Sequence, residues 1–383
     1  MDTPQRTFFN QKRYVELDAL RGIAALTVVV WHFVCATYTI KSPGSKIFVM
    51  SLYYLVHGRS AVILFFILSG FVLSLPFFRE SQPKYSAFVV RRICRIYLPY
   101  LALLTGTILV RTFVATHSIP ELSQWFNAYC GDPFSIKTVL EHLFLIGNIH
   151  SNVYNNTIWS LIHEMRISLV FPLLFLFVMR ARPLVSILTC ILLSGISLAN
   201  ELFGWETSNG WQSGYFYSLH VASFFIIGIL LAQYKDRLIQ WYDSMNKVTK
   251  VILFIVAIAL NRASMEIWMI NTKLLLISDY GTVFCVCYFM IAALGSGMFS
   301  NILKNPFFTF LGNISYSIYL NHITILYLSL FLLFNYLPVP AILPIYIIAA
   351  VIVSFITWKL IELPSIALGR ALSNKIKGYA LQV

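Results

Sequence analysis

Arg21 and His32 stand eleven residues apart in one apolar run. At 3.6 residues per turn that is about three turns, so the two return to within roughly 20° of one face, about 16 Å apart along the axis. Arg21 then lies near one end of a helix and His32 deep inside it. An ionisable side chain at that depth is expensive and is a functional candidate by default. A neutral imidazole there could act as general base on a hydroxyl; the plainer alternative is a histidine packed between helices with one hydrogen bond. Glu164, in Trp159-Ser160-Leu161-Ile162-His163-Glu164, is the matching acid. Counted from the same side of the membrane, Glu164 and His32 each lie about seven residues, or roughly 10 Å, inward. A carboxylate there would hold the imidazole tautomer and stabilise the imidazolium, unless it pairs with Arg166, Arg111 or another buried donor.

Three further groups carry polar chemistry. Arg91, Arg92 and Arg95 precede Leu98-Pro99, and Arg92 and Arg95 share a helical face. With Arg21 they suit phosphate recognition at a membrane entrance, although a basic loop also serves topology alone. Ser315, Tyr319 and His322 fall at i, i+4 and i+7 and form one stripe. With Ser160 they could hydrogen-bond an oxyanion or an acceptor hydroxyl, or serve as interhelical hydrogen-bond contacts. Ser69-Gly70 reads as a close-packing site. His163 adjoins Glu164 and competes with His32 as the base. His57, His117, His142 and His150 show no metal spacing and read as surface residues; no metal site is expected. The six cysteines form no disulfide framework or zinc pattern.

Apolar helices must position these groups. Of 383 residues 58% are hydrophobic and 11% charged, against roughly 25% charged in soluble domains, and the mean hydropathy is +0.76. The apolar runs are long enough to span a bilayer, about 20 residues each. The expected fold is all-α, a polytopic bundle of ten spans at 17–39, 60–78, 96–115, 157–179, 183–202, 214–234, 248–262, 274–296, 306–333 and 341–361. The chain reads as a single transmembrane domain over 1–383, with short tails and no fused soluble domain. Residues 47–57 and 136–149 read as interfacial or re-entrant pieces. The net charge of +13 would favour nucleic acid in a soluble protein. Here 20 of the 28 lysines and arginines fall on one side of the ten-span topology. That side is expected to be cytoplasmic, with both termini, and no nucleic-acid partner is expected. The first eleven residues lack a signal-peptide core, so the first span is read as retained.

The ordered set resembles the acyltransferase-3 family of membrane O-acyltransferases. The matching pieces are Arg21 and His32, Phe65-Phe66-x-x-Ser69-Gly70-Phe71, Arg92 and Arg95, Trp159-Ser160-Leu161-x-x-Glu164, Ser315-Tyr316-x-x-Tyr319-x-x-His322, and Glu362-Leu363-Pro364. They follow the family's order along almost the entire chain. The resemblance implies a ten-helix enzyme in the bacterial cytoplasmic (inner) membrane. It would move an acyl group, usually acetyl, from cytoplasmic acyl-CoA to a hydroxyl of a glycan or lipid-linked sugar such as a surface polysaccharide. Acetyl-CoA is then a co-substrate, with no permanently bound cofactor, and membrane lipids are the remaining partners. It also implies activity roles for Arg21, His32, Arg92 and Arg95. The expected mechanism docks acyl-CoA on those three arginines, with His32 as general base oriented by Glu164; an acyl-histidine intermediate is the second possibility. The rival class is a transporter or flippase of a polar lipid or solute, but neither inverted repeats nor paired broken helices are visible.

Overall fold

The computed structural model describes residues 13–79, 82–114, 117–128, 130, 135–271 and 274–376. Among these residues there is no strand, and ten helices are long and apolar enough to cross a membrane. The protein is an all-α polytopic membrane bundle. Of the residues counted for topology, Arg6, Lys12, Lys273 and Lys377 lie outside the described set.

The site is built on five helices: α1 (Val15–Thr37), α3 (Gly58–Ser74), α4 (Tyr85–Phe113), α7 (Ile158–Arg180) and α13 (Pro306–Leu333). The helices α1 and α13 run parallel, and glycines set their spacing. A Cβ on Gly22 would lie 2.6 Å from the Gly312 nitrogen, and one on Gly312 would strike the Asp18 backbone. Small residues let membrane helices approach backbone to backbone, where packing rather than water exclusion drives association. This register sets His32 beside His322 one bundle layer above Arg21. In the same way Gly70 of α3 meets the Phe225 backbone on α9 (Tyr215–Ser244), the close packing expected at Ser69-Gly70.

Several helix ends differ from expectation, and two of them bear on the site. The third span starts at Tyr85 rather than 96, so Arg91, Arg92 and Arg95 belong to the helix and not to a loop before it. Pro99 lies inside that helix; it removes the hydrogen bond to the Arg95 carbonyl without ending the helix. The last span, α14 (Val339–Thr357), passes through a five-residue π-turn, Trp358–Glu362, into α15 (Leu363–Lys375). That helix packs on the first half of α4, with Gly369 against Cys94. The π-turn delivers Glu362 to Ser317, whose hydroxyl donates to it at 2.7 Å.

The two short pieces form separate short helices. Helix α2 (Pro43–Leu55) is separated from α3 by two extended residues, Val56 and His57. Only Ile136–Leu143 of the 136–149 segment is helical, as α6. The remaining spans are α8 (Pro183–Phe203), α10 (Lys247–Ile270) and α11 (Leu275–Leu294). Apolar side chains on α8 and α10, such as Ile191 and Ile255, are exposed in the bundle, as they must be where lipid is the solvent.

Candidate active site, an arginine-lined cavity below a histidine pair

A cavity of about 300 Å³ lies between α1, α3, α4, α7 and α13. Its lining holds four guanidinium groups, Arg21, Arg91, Arg92 and Arg95, against a single carboxylate, Glu164. Phe65, Phe66 and Leu161 supply apolar wall, and Ser160, Ser315, Tyr316 and Tyr319 supply hydroxyls. The structure therefore gathers Arg21, Arg92, Arg95, Glu164, Ser160 and Tyr319 into one site.

The arginines are held differently. Arg92 is buried; its Nη2 donates to Glu164 Oε1 at 2.7 Å and its Nε to Ser168 Oγ at 3.1 Å. Arg91 reaches Ser373 Oγ at 2.7 Å and ties α4 to α15. Arg21 has Asp18 one turn away, at 3.5 Å. Arg95 makes no hydrogen bond or ion pair among the described residues. Glu164 in the lining, Asp18 beside Arg21, and Glu362 within electrostatic reach of Arg21 and Arg95 still leave the four guanidinium groups in excess, so the cavity attracts anions.

Glu164 does not meet His32. The error in the depth count has a physical cause. Asn155, before α7 begins, already reaches the Leu320 carbonyl at 3.4 Å, and Ser160 meets Tyr319 at 2.6 Å. The helix α7 therefore enters below the level of His322. From His322 to Tyr319 and from Ser160 to Glu164 the chain descends about 10 Å in all, which leaves Glu164 two turns below the histidines and beside Arg92.

His32 instead pairs with His322, its Nδ1 3.1 Å from His322 Nε2. Backbone carbonyls fix both tautomers, because a carbonyl only accepts. His322 Nδ1 lies 3.1 Å from the Ile318 oxygen, so that nitrogen carries the hydrogen and Nε2 is bare. His32 Nδ1 lies 3.0 Å from the Val28 oxygen and shares its hydrogen between that oxygen and His322 Nε2. His32 Nε2 is then the unprotonated nitrogen of a partly exposed ring, the state a general base needs. Trp125 stacks on the His32 ring with centroids 5.5 Å apart.

Tyr319 separates the two halves of the site. Its hydroxyl lines the cavity, and its ring lies 5.8 Å from that of His322 and 5.4 Å from Phe65. Ser160 Oγ donates to the Thr157 oxygen at 3.0 Å, so the 2.6 Å contact is Tyr319 donating to Ser160. Both hydroxyl hydrogens are engaged, that of Tyr319 on Ser160 and that of Ser160 on the Thr157 oxygen, and either would have to turn to reach an oxyanion.

His163 is fully buried with both ring nitrogens engaged: Nε2 donates to the Gln212 carbonyl at 2.8 Å and Nδ1 accepts from Ser218 Oγ at 2.9 Å. Like His32 it lies outside the cavity lining, but it has no unengaged nitrogen to take a proton. Two of the histidines read as surface residues, His57 and His142, are buried. His142 is tucked under Tyr154, and His57 Nδ1 donates to Ser60 Oγ at 2.6 Å, whose own hydrogen goes to Asn261 Oδ1. The sequence reading also passed over a second polar cluster. Arg59 Nε donates to Asp279 Oδ1 at 2.5 Å, and His220 Nε2 lies 3.0 Å from Asp279 Oδ2. Asp279, the one acid of an otherwise apolar helix, carried the same signal that singled out Glu164.

The family model described as the acyltransferase domain (Acyl_transf_3) matches residues 14–359. No curated protein and no solved structure matches the chain. The match takes in every site helix from α1 to α13, and with the ten apolar helices it makes this chain a member of the acyltransferase domain family, a membrane acyltransferase.

Proposed function

We propose that this enzyme moves an acyl group, most simply acetyl, from acyl-CoA to a hydroxyl of a glycan or lipid-linked sugar. One observation carries the reading: an arginine-lined cavity with a charge excess ends at Tyr319, one turn below a histidine pair whose His32 Nε2 is bare. Arg21 and Arg95 bind the phosphates of the donor, while Arg92, braced by Glu164 and Ser168, adds fixed positive charge. The pantetheine arm extends past Tyr319 and brings the thioester to His32. Nε2 takes the acceptor proton, the oxygen attacks the thioester carbonyl, and the tetrahedral intermediate collapses to the ester and the CoA thiolate. The thiolate recovers the proton from the imidazolium. His322 accepts the hydrogen of His32 Nδ1 throughout and keeps the ring oriented; this role replaces the one expected of Glu164. Tyr319 turns away from Ser160 to hydrogen-bond the oxyanion.

The excess of lysine and arginine on one side of the topology supports an orientation with the termini and the donor in the cytoplasm. A bacterial inner membrane fits that arrangement, with the acceptor arriving from the opposite face. The test is transfer from labelled acetyl-CoA by the purified protein. His32→Ala lowers the rate by about 10²–10⁴, the usual worth of a positioned base, with insertion and thermal stability unchanged. Full activity of that variant would overturn the assignment.

A further inference from the structure

A second cavity, of about 440 Å³, opens at the end of the bundle opposite the Arg180–Arg182 turn, between the end of α8, the 204–214 loop, Tyr217 and the start of α11. Its size falls in the range of small-ligand sites. The loop that walls it is polar, yet it is fixed by an unusual density of hydrogen bonds to the 148–152 turn. Asn148 alone donates to the Thr207 carbonyl at 2.8 Å and accepts from the Asn209 nitrogen at 2.9 Å and Ser213 Oγ at 2.8 Å. Its carbonyl accepts from Asn209 Nδ2 at 2.7 Å, and Asn152 holds the Trp211 nitrogen at 2.9 Å. Freezing a surface loop in this way opposes chain entropy and is characteristic of loops that present binding groups on a rigid frame.

Backbone strain marks the same place. Gln212 has a φ of +52°, alone among the described non-glycine residues in being positive. A residue without glycine's freedom keeps that conformation only when its surroundings enforce it. Here His163 Nε2 holds its carbonyl and Arg59 Nη1 holds its side-chain oxygen at 3.3 Å. Gln212 lines the cavity as a result.

The unengaged groups define the ligand. Glu206 is occupied: its carboxylate caps α9 through the Tyr215 and Phe216 nitrogens at 2.9 and 3.0 Å. Glu201 lines the cavity and makes no hydrogen bond or ion pair among the described residues. Trp211 lines it with 41% of its surface exposed. Trp205, by contrast, stacks on Phe203 outside the lining, as an interfacial anchor would. A carboxylate that accepts from neighbouring hydroxyls, the amide nitrogen of Gln212 that Arg59's hold on its oxygen leaves unengaged among the described residues, and an indole face for C–H groups together match a carbohydrate. A cation would meet one unengaged carboxylate with Arg59 behind the wall.

We propose that this cavity docks a hydroxyl-rich ligand, a glycan segment, with Trp211 as its stacking face and Glu201 and Gln212 as its hydrogen-bonding groups. That the segment belongs to the acyl acceptor rests on the function proposed above; the docking itself does not. A glycan held here is gripped apart from the hydroxyl that reacts, and a polymeric acceptor gains affinity that a monosaccharide lacks.

The test titrates maltopentaose, cellopentaose and xylopentaose into the full-length protein in detergent, read by tryptophan fluorescence and by calorimetry. At least one is expected to bind saturably. Trp211→Ala and Glu201→Gln should each weaken it tenfold or more with unchanged melting temperature, and His32→Ala should leave it intact. Failure of all three sugars to bind, or equal binding by the two cavity variants, overturns the docking site. Binding by a wild-type protein that transfers no acyl group would overturn the proposed function and leave the docking site standing.

Discussion

Two polar clusters lie inside this bundle, and they treat charge in opposite ways. In the cluster that joins α3, α8, α9 and α11, every strong group has an answer. Arg59 faces Asp279 through both ends of its fork, and it donates to Tyr217 at 2.6 Å. His220 bridges Asp279 and Ser194, and Ser194 meets Tyr280 at 2.7 Å. Asp279 is 1% exposed and His220 0%. The serine–histidine–aspartate order has the outline of a hydrolytic triad, but the carboxylate is engaged by a guanidinium, the serine is shared with a tyrosine, and none of the three lines either cavity described above. Burial with full pairing makes this a crosslink between four helices. The arginine-lined cavity has the opposite character: four guanidinium groups share one lining carboxylate, and the space between them is open. Uncompensated charge in a membrane bundle is costly, and it persists where a ligand supplies the missing sign.

That contrast breaks most visibly if Asp279 is removed. Asp279→Ala leaves Arg59 and His220 buried without their acceptor and is expected to cost about 3–5 kcal/mol, the range for breaking a buried ion pair. Thermal unfolding in detergent reads it, and an unchanged midpoint would show that the crosslink contributes nothing. Arg59→Met combined with Asp279→Leu should recover much of the loss, since apolar replacement of both partners is often neutral. Arg95→Ala comes next and should act elsewhere. No described residue hydrogen-bonds to its guanidinium, so the midpoint should hold. Acyl-CoA affinity should fall by about 1.5–3 kcal/mol, the worth of hydrogen bonds to charged groups, seen as a raised KM. Destabilisation on the scale of Asp279→Ala would erase the distinction between the two clusters.

Glu164→Gln lies between these extremes. It keeps the shape beside Arg92 but removes the only carboxylate of the cavity lining. A modest loss of stability is expected, about 1–2 kcal/mol, because the site is partly wet rather than sealed. Anion binding should tighten a few-fold as the local charge becomes more positive. A weaker affinity for acyl-CoA would mean that Glu164 holds Arg92 in its binding pose, and that orientation outweighs charge.

Sequence periodicity revealed the helices because lipid allows few alternatives: every backbone group must be satisfied within the segment. It singled out candidate residues for the same reason, since a charge in an apolar run stands out. It did not reveal which partner each would choose. Arg21, Arg92 and Arg95 gather as expected, but the pairing of Glu164 depends on where α7 enters, and the turns from 144 to 157 set that level. His322 was read as one of a polar stripe, while its partner is chosen by the parallel register of α1 and α13, fixed by Gly22 and Gly312. The 148–152 and 204–214 loops gave no periodic signal at all, and their asparagine contacts exist only in three dimensions.

The smallest expected effect falls on the boundary between donor cavity and histidine pair. Ser160→Ala removes the acceptor of the Tyr319 hydroxyl and the donor to the Thr157 oxygen. The net loss should be about 1 kcal/mol, typical of a single neutral hydrogen bond. In the resting arrangement Ser160 has its hydrogen on Thr157, so it offers nothing to an oxyanion. Tyr319, released from Ser160, keeps only the distant Thr157 oxygen at 3.4 Å and is freer to donate. Turnover should therefore change by less than about threefold, because the catalytic donor remains in place. A hundredfold drop in kcat would instead make Ser160 the direct donor, and Tyr319 a shutter that positions it.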